Sequence, residues 1–202
     1  MMYAIIAFAG YFMGSSNLAW YMSKLRGFDI RNHGSNNAGA SNAAVTMGFK
    51  VGIIVAVHDI AKAFLSALIA ALLFPSLPYA GVVAGVSAVT GHIFPFFLHF
   101  KGGKGFAPFM GLVLALDWRF FLMLVLAVLL ITLISDYIVL GTFTAIVSFP
   151  TYLYVTHNTL ILTALVSVAS LMIFYKHFIN IKRLCTGQEI GLRRTLSKKD
   201  RV

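Results

Sequence analysis

Three polar clusters interrupt an otherwise apolar chain of 202 residues, and each holds residue types suited to gripping an anion. The first is Gly34-Ser35-Asn36-Asn37-Ala38-Gly39-Ala40-Ser41-Asn42. Small residues let the backbone approach a ligand closely. Consecutive backbone N–H groups, with Ser and Asn side chains, make an anion-binding nest. A helix beginning near Ala40 would add the positive potential of its N-terminus. The same residues also suit a loop that merely caps the next helix, and spacing alone does not choose between the two. The second cluster is Gly91-His92-Ile93-Phe94-Pro95, followed by Phe100-Lys101-Gly102-Gly103-Lys104-Gly105. Two lysines within a glycine turn suit a phosphate. It is not a P-loop, which would need Gly in place of Leu98 and Ser or Thr in place of Gly105. A plain basic loop accounts for the lysines but less well for three glycines.

The third cluster runs from Tyr175-Lys176-His177-Phe178-Ile179-Asn180-Ile181-Lys182-Arg183-Leu184 to Gly187-Gln188-Glu189. His177 and Asn180 are three apart, so on a helix they share a face. His177 suits a general acid or base, or a phosphate donor. The competing reading is an interfacial anchor whose cations meet anionic lipid. Glu189 stands alone among cations and reads first as a structural ion-pair partner. Within an apolar run, His58, Asp59 and Lys62 are close together, and the i,i+3 spacing lets Asp59 pair with Lys62. Charges at membrane depth face a bundle interior, so this pair reads as structural first. No histidine pair has metal-binding spacing, no G-x-S-x-G elbow occurs, and no paired carboxylates stand ready for hydrolysis or magnesium. The soluble-type acyltransferase signature H-x-x-x-x-D is also absent.

The elements that position these clusters must be membrane helices. Hydrophobic residues make up 59% of the chain and charged residues 11%, against about 25% charged in soluble domains. The mean hydropathy is +0.87. A soluble globule of this size could not hide so much apolar surface. The expected architecture is all-α: one integral membrane domain over residues 1–202, a helical bundle of about seven spans. The spans are approximately residues 1–22, 51–74, 79–100, 106–116, 120–134, 137–154 and 160–175, with a polar, basic tail from about Lys176. The first apolar run lacks a basic n-region and is followed by Lys24, Arg26 and Arg31, the flank of a first span and not of a cleaved signal peptide. With the N-terminus outside, every Lys and Arg except Lys62 and Arg119 falls on one face, which the charge rule makes cytoplasmic. The formal charge of +10 then reflects loop bias and anionic partners, not nucleic acid. The single cysteine, Cys185, excludes an internal disulfide and multi-cysteine metal sites.

On these blocks the chain resembles the bacterial acyl-phosphate:glycerol-3-phosphate acyltransferases, an integral membrane family. The matching stretches are Gly34 to Asn42, His58 to Lys62, Gly91 to Gly105 and His177 to Glu189, in order along nearly the whole chain. The resemblance implies a seven-helix enzyme of the bacterial cytoplasmic membrane, its active site facing the cytoplasm. It implies transfer of a long acyl chain from acyl phosphate to the sn-1 hydroxyl of glycerol 3-phosphate, giving lysophosphatidic acid and phosphate, with no metal or other cofactor. The bilayer is the expected partner; a monomer fits the sequence, which leaves the oligomeric state open. Ser35, Lys104, His177 and Asn180 are the expected catalytic residues. Gly34, Asn37, Gly39, Ser41, Asn42, Lys101, Gly102, Gly103, Gly105, Lys182 and Arg183 are expected to hold phosphates, and Asp59, Lys62 and Glu189 to give polar support. There are departures. Asn36, Ala38 and Ser41 stand where the family has Gly, Pro and Thr. Val45 stands where it has an arginine, Ala63 where it has a glycine, and Phe178-Ile179 where it has Arg-Glu. A rival reading, a small transporter for an anionic solute, predicts polar residues at matching depth on both sides. Here they crowd one face. A third, a lipid-binding scaffold, leaves the three blocks unexplained.

Overall fold

A computed structural model describes residues 1–196, so the end of the expected basic tail, residues 197–202, lies outside the described residues. The described chain is all-α. Its helices are α1 (Met2–Ser15), α2 (Leu18–Leu25), α3 (Ala40–Met47), α4 (Phe49–Leu73), α5 (Ala80–Ile93), α6 (Phe106–Leu116), α7 (Trp118–Ser135), α8 (Ile138–His157), α9 (Leu160–Cys185) and α10 (Leu192–Leu196), with short 3₁₀ turns at Ile30–Asn32 and Phe96–Leu98. Five stretches are long and apolar enough to cross a membrane: α4, Ala80–Leu98, α7, α8 and α9. Phe109, Leu112, Phe149, Ile93 and Ile173 form a buried core among α5, α6, α8 and α9. Outward leucines of α7, such as Leu126, Leu129 and Leu133, are exposed, as befits a lipid-facing helix.

Two elements differ from the sequence expectation. The first span, expected as one run over residues 1–22, breaks at Ser16-Asn17. Asn17 caps α2 by accepting the Trp20 N–H at 2.9 Å, while its amide donates to the Ala38 carbonyl at 2.9 Å. Such a break is tolerated at membrane depth only where the freed backbone finds partners. Here the Lys62 ammonium donates to the Ser16 carbonyl at 2.6 Å. The last span does not end near Tyr175. α9 continues to Cys185, so His177, Asn180 and Arg183 ride on a helix.

Small residues bring the helices together. A Cβ on Gly10 or Gly14 of α1 would collide with the α5 backbone at Ala84 or Ala88, and one on Gly111 of α6 with the Ile60 carbonyl of α4. Without a hydrophobic drive between helices in lipid, this close approach supplies the packing. Gly10-x-x-x-Gly14 is a sequence signal for it that the polar clusters overshadow.

The polar loops collect at one end of the bundle. Arg31 donates to the Leu98 carbonyl at 2.9 Å, Lys104 meets Asn180, and the Leu192 N–H reaches the Asp136 carbonyl at 2.8 Å. At the opposite end, Asp117 caps α7 and accepts a hydrogen bond from the Tyr152 hydroxyl.

Candidate active site

The first polar cluster is shaped by Asn42. Its carboxamide oxygen accepts the Ser35 N–H at 2.8 Å, and its NH₂ donates to the carbonyls of Ile30, His33 and Asn37 at 2.9–3.0 Å. Asn42 is fully buried and both N–H donors of its carboxamide are engaged. It organises the loop and lines neither cavity described below, whereas the sequence reading has it among the phosphate-binding residues. Gly34 likewise lies beneath, in the left-handed region at φ +60°, where a Cβ would strike the Asn42 side chain. Ser35, Asn37, Gly39 and Ser41 do line a cavity. α3 begins at Ala40, as its residue pattern suggested, and its first N–H groups have no partner within the helix.

The second cluster forms a tight turn pinned to the end of α5. The Gly102 and Gly103 N–H groups donate to the carbonyls of Ile93 and His92, and a Cβ on Gly103 would run into the His92 ring. Gly105, at φ +92°, starts α6. Between them Lys104 reaches back, and its ammonium donates to the Asn180 carboxamide oxygen at 2.7 Å. The Asn180 NH₂ donates in turn to Glu189 Oε1 at 2.6 Å. Glu189 reaches this position because the chain doubles back after α9. Gly187 adopts φ +69°, and the N–H groups of Gln188 and Glu189 both donate to the Arg183 carbonyl.

On the same face of α9, one turn before Asn180, His177 donates through Nδ1 to the Ile173 carbonyl at 2.9 Å. A carbonyl only accepts, so this bond keeps the proton on Nδ1 and leaves Nε2 free to accept. Lys182 points elsewhere: its ammonium sits over the Phe178 ring, 5.0 Å from the centroid, and it lines neither cavity described here, against the expectation for it.

Beneath the turn lies a buried polar floor. Asp59 Oδ1 is 2.8 Å from the Lys62 ammonium, and His58 and His92 approach the same oxygen at 3.3 and 3.4 Å. Lys62 also lies 2.9 Å from His92 Nδ1. Because an ammonium only donates, His92 Nδ1 accepts and the neutral ring carries its proton on Nε2, against Gly103. His92 stood in the second cluster without a role. Nothing in the spacing tied it to Asp59, 33 positions away. Arg31 is the other addition. Held by Asp29 at 2.8 Å and by the Leu98 carbonyl, it presents a fixed cation.

Two adjoining cavities open among these groups. One, of about 210 Å³, is lined at its polar side by Ser35, Lys104, His177, Asn180 and Glu189, and elsewhere by apolar residues including Val45, Ile60, Met110 and Val139. The other, of about 700 Å³, adds Arg31, Lys101, Gly102 and Lys176. Both share Ser35, Asn37, Lys104 and Arg183. Burial pushes the Lys104 ammonium down to about 8, with Arg183 and Lys176 helping and Glu189 opposing.

A family model described as glycerol-3-phosphate acyltransferase matches residues 4–187. The chain belongs to the glycerol-3-phosphate acyltransferase family. The Aquifex aeolicus glycerol-3-phosphate acyltransferase is 37% identical, with 92% of this chain and 96% of that protein covered. The Bacillus subtilis enzyme of the same name is 33% identical, covering 94% and 97%. A crystal structure of PlsY (YgiH), an integral membrane glycerol 3-phosphate acyltransferase in its glycerol 3-phosphate form, superimposes with a TM-score of 0.88 at 34% identity, covering 95% of this chain and 96% of that one. Its lysophosphatidic acid form gives 0.86 at 33%. As a glycerol-3-phosphate acyltransferase, the protein is an integral membrane enzyme of phospholipid synthesis, and the transporter and scaffold readings fall away.

Proposed function

We propose that this acyltransferase moves a long acyl chain from acyl phosphate to the sn-1 hydroxyl of glycerol 3-phosphate, releasing lysophosphatidic acid and inorganic phosphate. The observation that carries this reading is the shared wall of Ser35, Asn37, Lys104 and Arg183 between a partly apolar cavity and a cation-rich one. Two phosphorylated substrates must sit side by side, and their mutual repulsion calls for N–H donors and cations between them. The loop of Ser35, Asn37, Gly39 and Ser41, with the N-terminus of α3, holds mainly the donor phosphate. Lys104 and Lys101, with Arg183, His177 and Asn180, hold mainly glycerol 3-phosphate, and the Gly102–Gly103 turn, whose N–H groups are taken by the carbonyls of α5, sets the two lysines in place. Val45 brings no charge to the smaller cavity, and Arg183 and Lys104 supply charge to both cavities. The apolar residues receive the first part of the acyl chain, which enters sideways from the bilayer.

Acyl phosphate is a mixed anhydride and needs no further activation. The acceptor hydroxyl attacks its carbonyl carbon, the C–O bond to phosphate breaks, and phosphate leaves with the bonding pair. Positioning and charge stabilisation then carry most of the catalysis, and no covalent enzyme intermediate forms. The hydroxyl proton goes either to His177 Nε2 or to a phosphate oxygen of the donor. α1 and α2 together form the first of seven crossings, followed by α4, α5, α6, α7, α8 and α9, with the cation-rich end cytoplasmic.

Purified protein in detergent, mixed with palmitoyl phosphate and glycerol 3-phosphate, is expected to release phosphate and form lysophosphatidic acid together. Lys104→Ala and Asn180→Ala should lose both. A His177→Gln variant that keeps most of kcat assigns the proton to the donor phosphate. Folded protein that turns over neither palmitoyl phosphate nor palmitoyl-CoA would sink the reading.

A further inference from the structure

Glu189 lines the smaller cavity with one oxygen engaged and one idle. Oε1 accepts from Asn180. Oε2 is withdrawn from solvent and has no hydrogen-bond partner among the described residues. Asp59, the other carboxylate in that lining, is already held by Lys62 and His58. The Glu189 backbone is fixed through the Arg183 carbonyl, so the side chain is not a loose surface group.

A carboxylate oxygen can only accept a hydrogen bond, and leaving one buried without a donor is costly. In the wall of a substrate cavity the missing donor belongs to a ligand. An acyl chain has none, and neither an ester carbonyl nor a phosphate dianion has one to give. A polyol phosphate does. Of the two hydroxyls of glycerol 3-phosphate, one is consumed in the reaction. The other, on the central carbon, stands next to the carbon bearing the phosphate. Glu189 is linked through Asn180 to Lys104, the residue placed at that phosphate, so the nearer hydroxyl is the central one.

We propose that Glu189 Oε2 accepts a hydrogen bond from the secondary hydroxyl of the acceptor and selects a glycerol backbone over three-carbon phosphates that lack this donor. This rests on the functional reading above, and it makes Glu189 a specificity residue as well as a support for Asn180. Whatever merely holds Asn180 in place would affect all acceptors alike. A group that reads one hydroxyl would not.

The test pairs deletion of the hydroxyl with deletion of the carboxylate. With palmitoyl phosphate as donor, kcat/KM is measured for glycerol 3-phosphate and for 3-hydroxypropyl phosphate, which keeps the attacking hydroxyl and lacks the secondary one. Wild-type enzyme is expected to favour glycerol 3-phosphate by about tenfold or more. Glu189→Ala, shown folded by a cooperative thermal transition, should lose most of that preference while losing activity on both. Equal use of the two acceptors by wild type overturns the inference without any variant. So does a folded Glu189→Ala that keeps the wild-type ratio. Should Glu189→Ala not fold, Glu189→Gln carries the test with dihydroxyacetone phosphate. Its amide can donate to the ketone, so the preference for glycerol 3-phosphate over the ketone should narrow by about tenfold. An unchanged ratio overturns the inference. Wild type that acylates neither acceptor condemns the functional reading itself, a distinct result.

Discussion

Lys104 shows most directly how position alters a side chain. Burial, aided by Arg183 and Lys176, lowers its ammonium to about 8, so the free enzyme loses this charge as pH rises through that value. The sign is set: protonated Lys104 binds an anion and neutral Lys104 does not. We expect kcat/KM for glycerol 3-phosphate, which reports the free enzyme, to bend down above pH 8 and approach about a tenfold loss per pH unit. Lys104→Arg should start lower, because a guanidinium fork meets Asn180 differently, yet stay flat to about pH 10 since it does not deprotonate. A bend in the Lys104→Arg profile at the same pH would assign the titration to another group. The sequence made Lys104, His177 and Asn180 visible because lysine between glycines, and His with Asn three apart on one helix face, are rare company in an apolar chain. Asn42 and Lys182 belong to the same clusters yet line neither cavity, since residue type within a polar cluster does not say which side chains turn inward. The sequence passed over His92 because its partner Lys62 is 30 positions away, and over Arg31 because its local pairing with Asp29 does not announce the Leu98 carbonyl 67 positions on.

Helix-scale order depends on the polar floor of α4. The i,i+3 pairing of Asp59 with Lys62 was legible. The reason it matters was not, because Lys62 also caps the break between α1 and α2 through the Ser16 carbonyl. That break stems from Asn17 gripping Ala38, 21 residues on, a contact no local pattern announces. α9 was cut short in the sequence reading because Lys176 and the residues after it look like a tail, although Ile173, His177 and Asn180 keep helical spacing. Removing one partner of a buried pair leaves an uncompensated charge, at a loss of about 3 kcal/mol or more. Lys62→Met should therefore lower the thermal midpoint in detergent sharply, and combining it with Asp59→Asn should recover much of the loss. If Lys62→Met alone is as stable as wild type, the floor is not what holds the break and the turn above it together.

At the scale of the molecule, the polar loops gather at one end of the bundle while Asp117 and Tyr152 meet at the other. By the positive-inside rule we expect the cation-rich end to face the cytoplasm, and a native reporter can test it. Cys185, the single cysteine of the chain, is exposed at the end of α9. A membrane-impermeant maleimide should label it in inverted membrane vesicles and leave it untouched in intact spheroplasts. In a Cys185→Ala background, cysteines introduced by Met2→Cys and His157→Cys, both exposed positions at helix ends, should label in spheroplasts instead. Labelling of Cys185 from outside would invert the enzyme. Labelling of Met2→Cys and Cys185 from the same side would make the number of crossings even and undo the seven-span topology. The outcome bears on chemistry as well as orientation. Glycerol 3-phosphate carries charge that the hydrocarbon core does not pass, so if Lys104 and Arg183 bind it as proposed, their end of the bundle is expected to label from the compartment where that substrate is made.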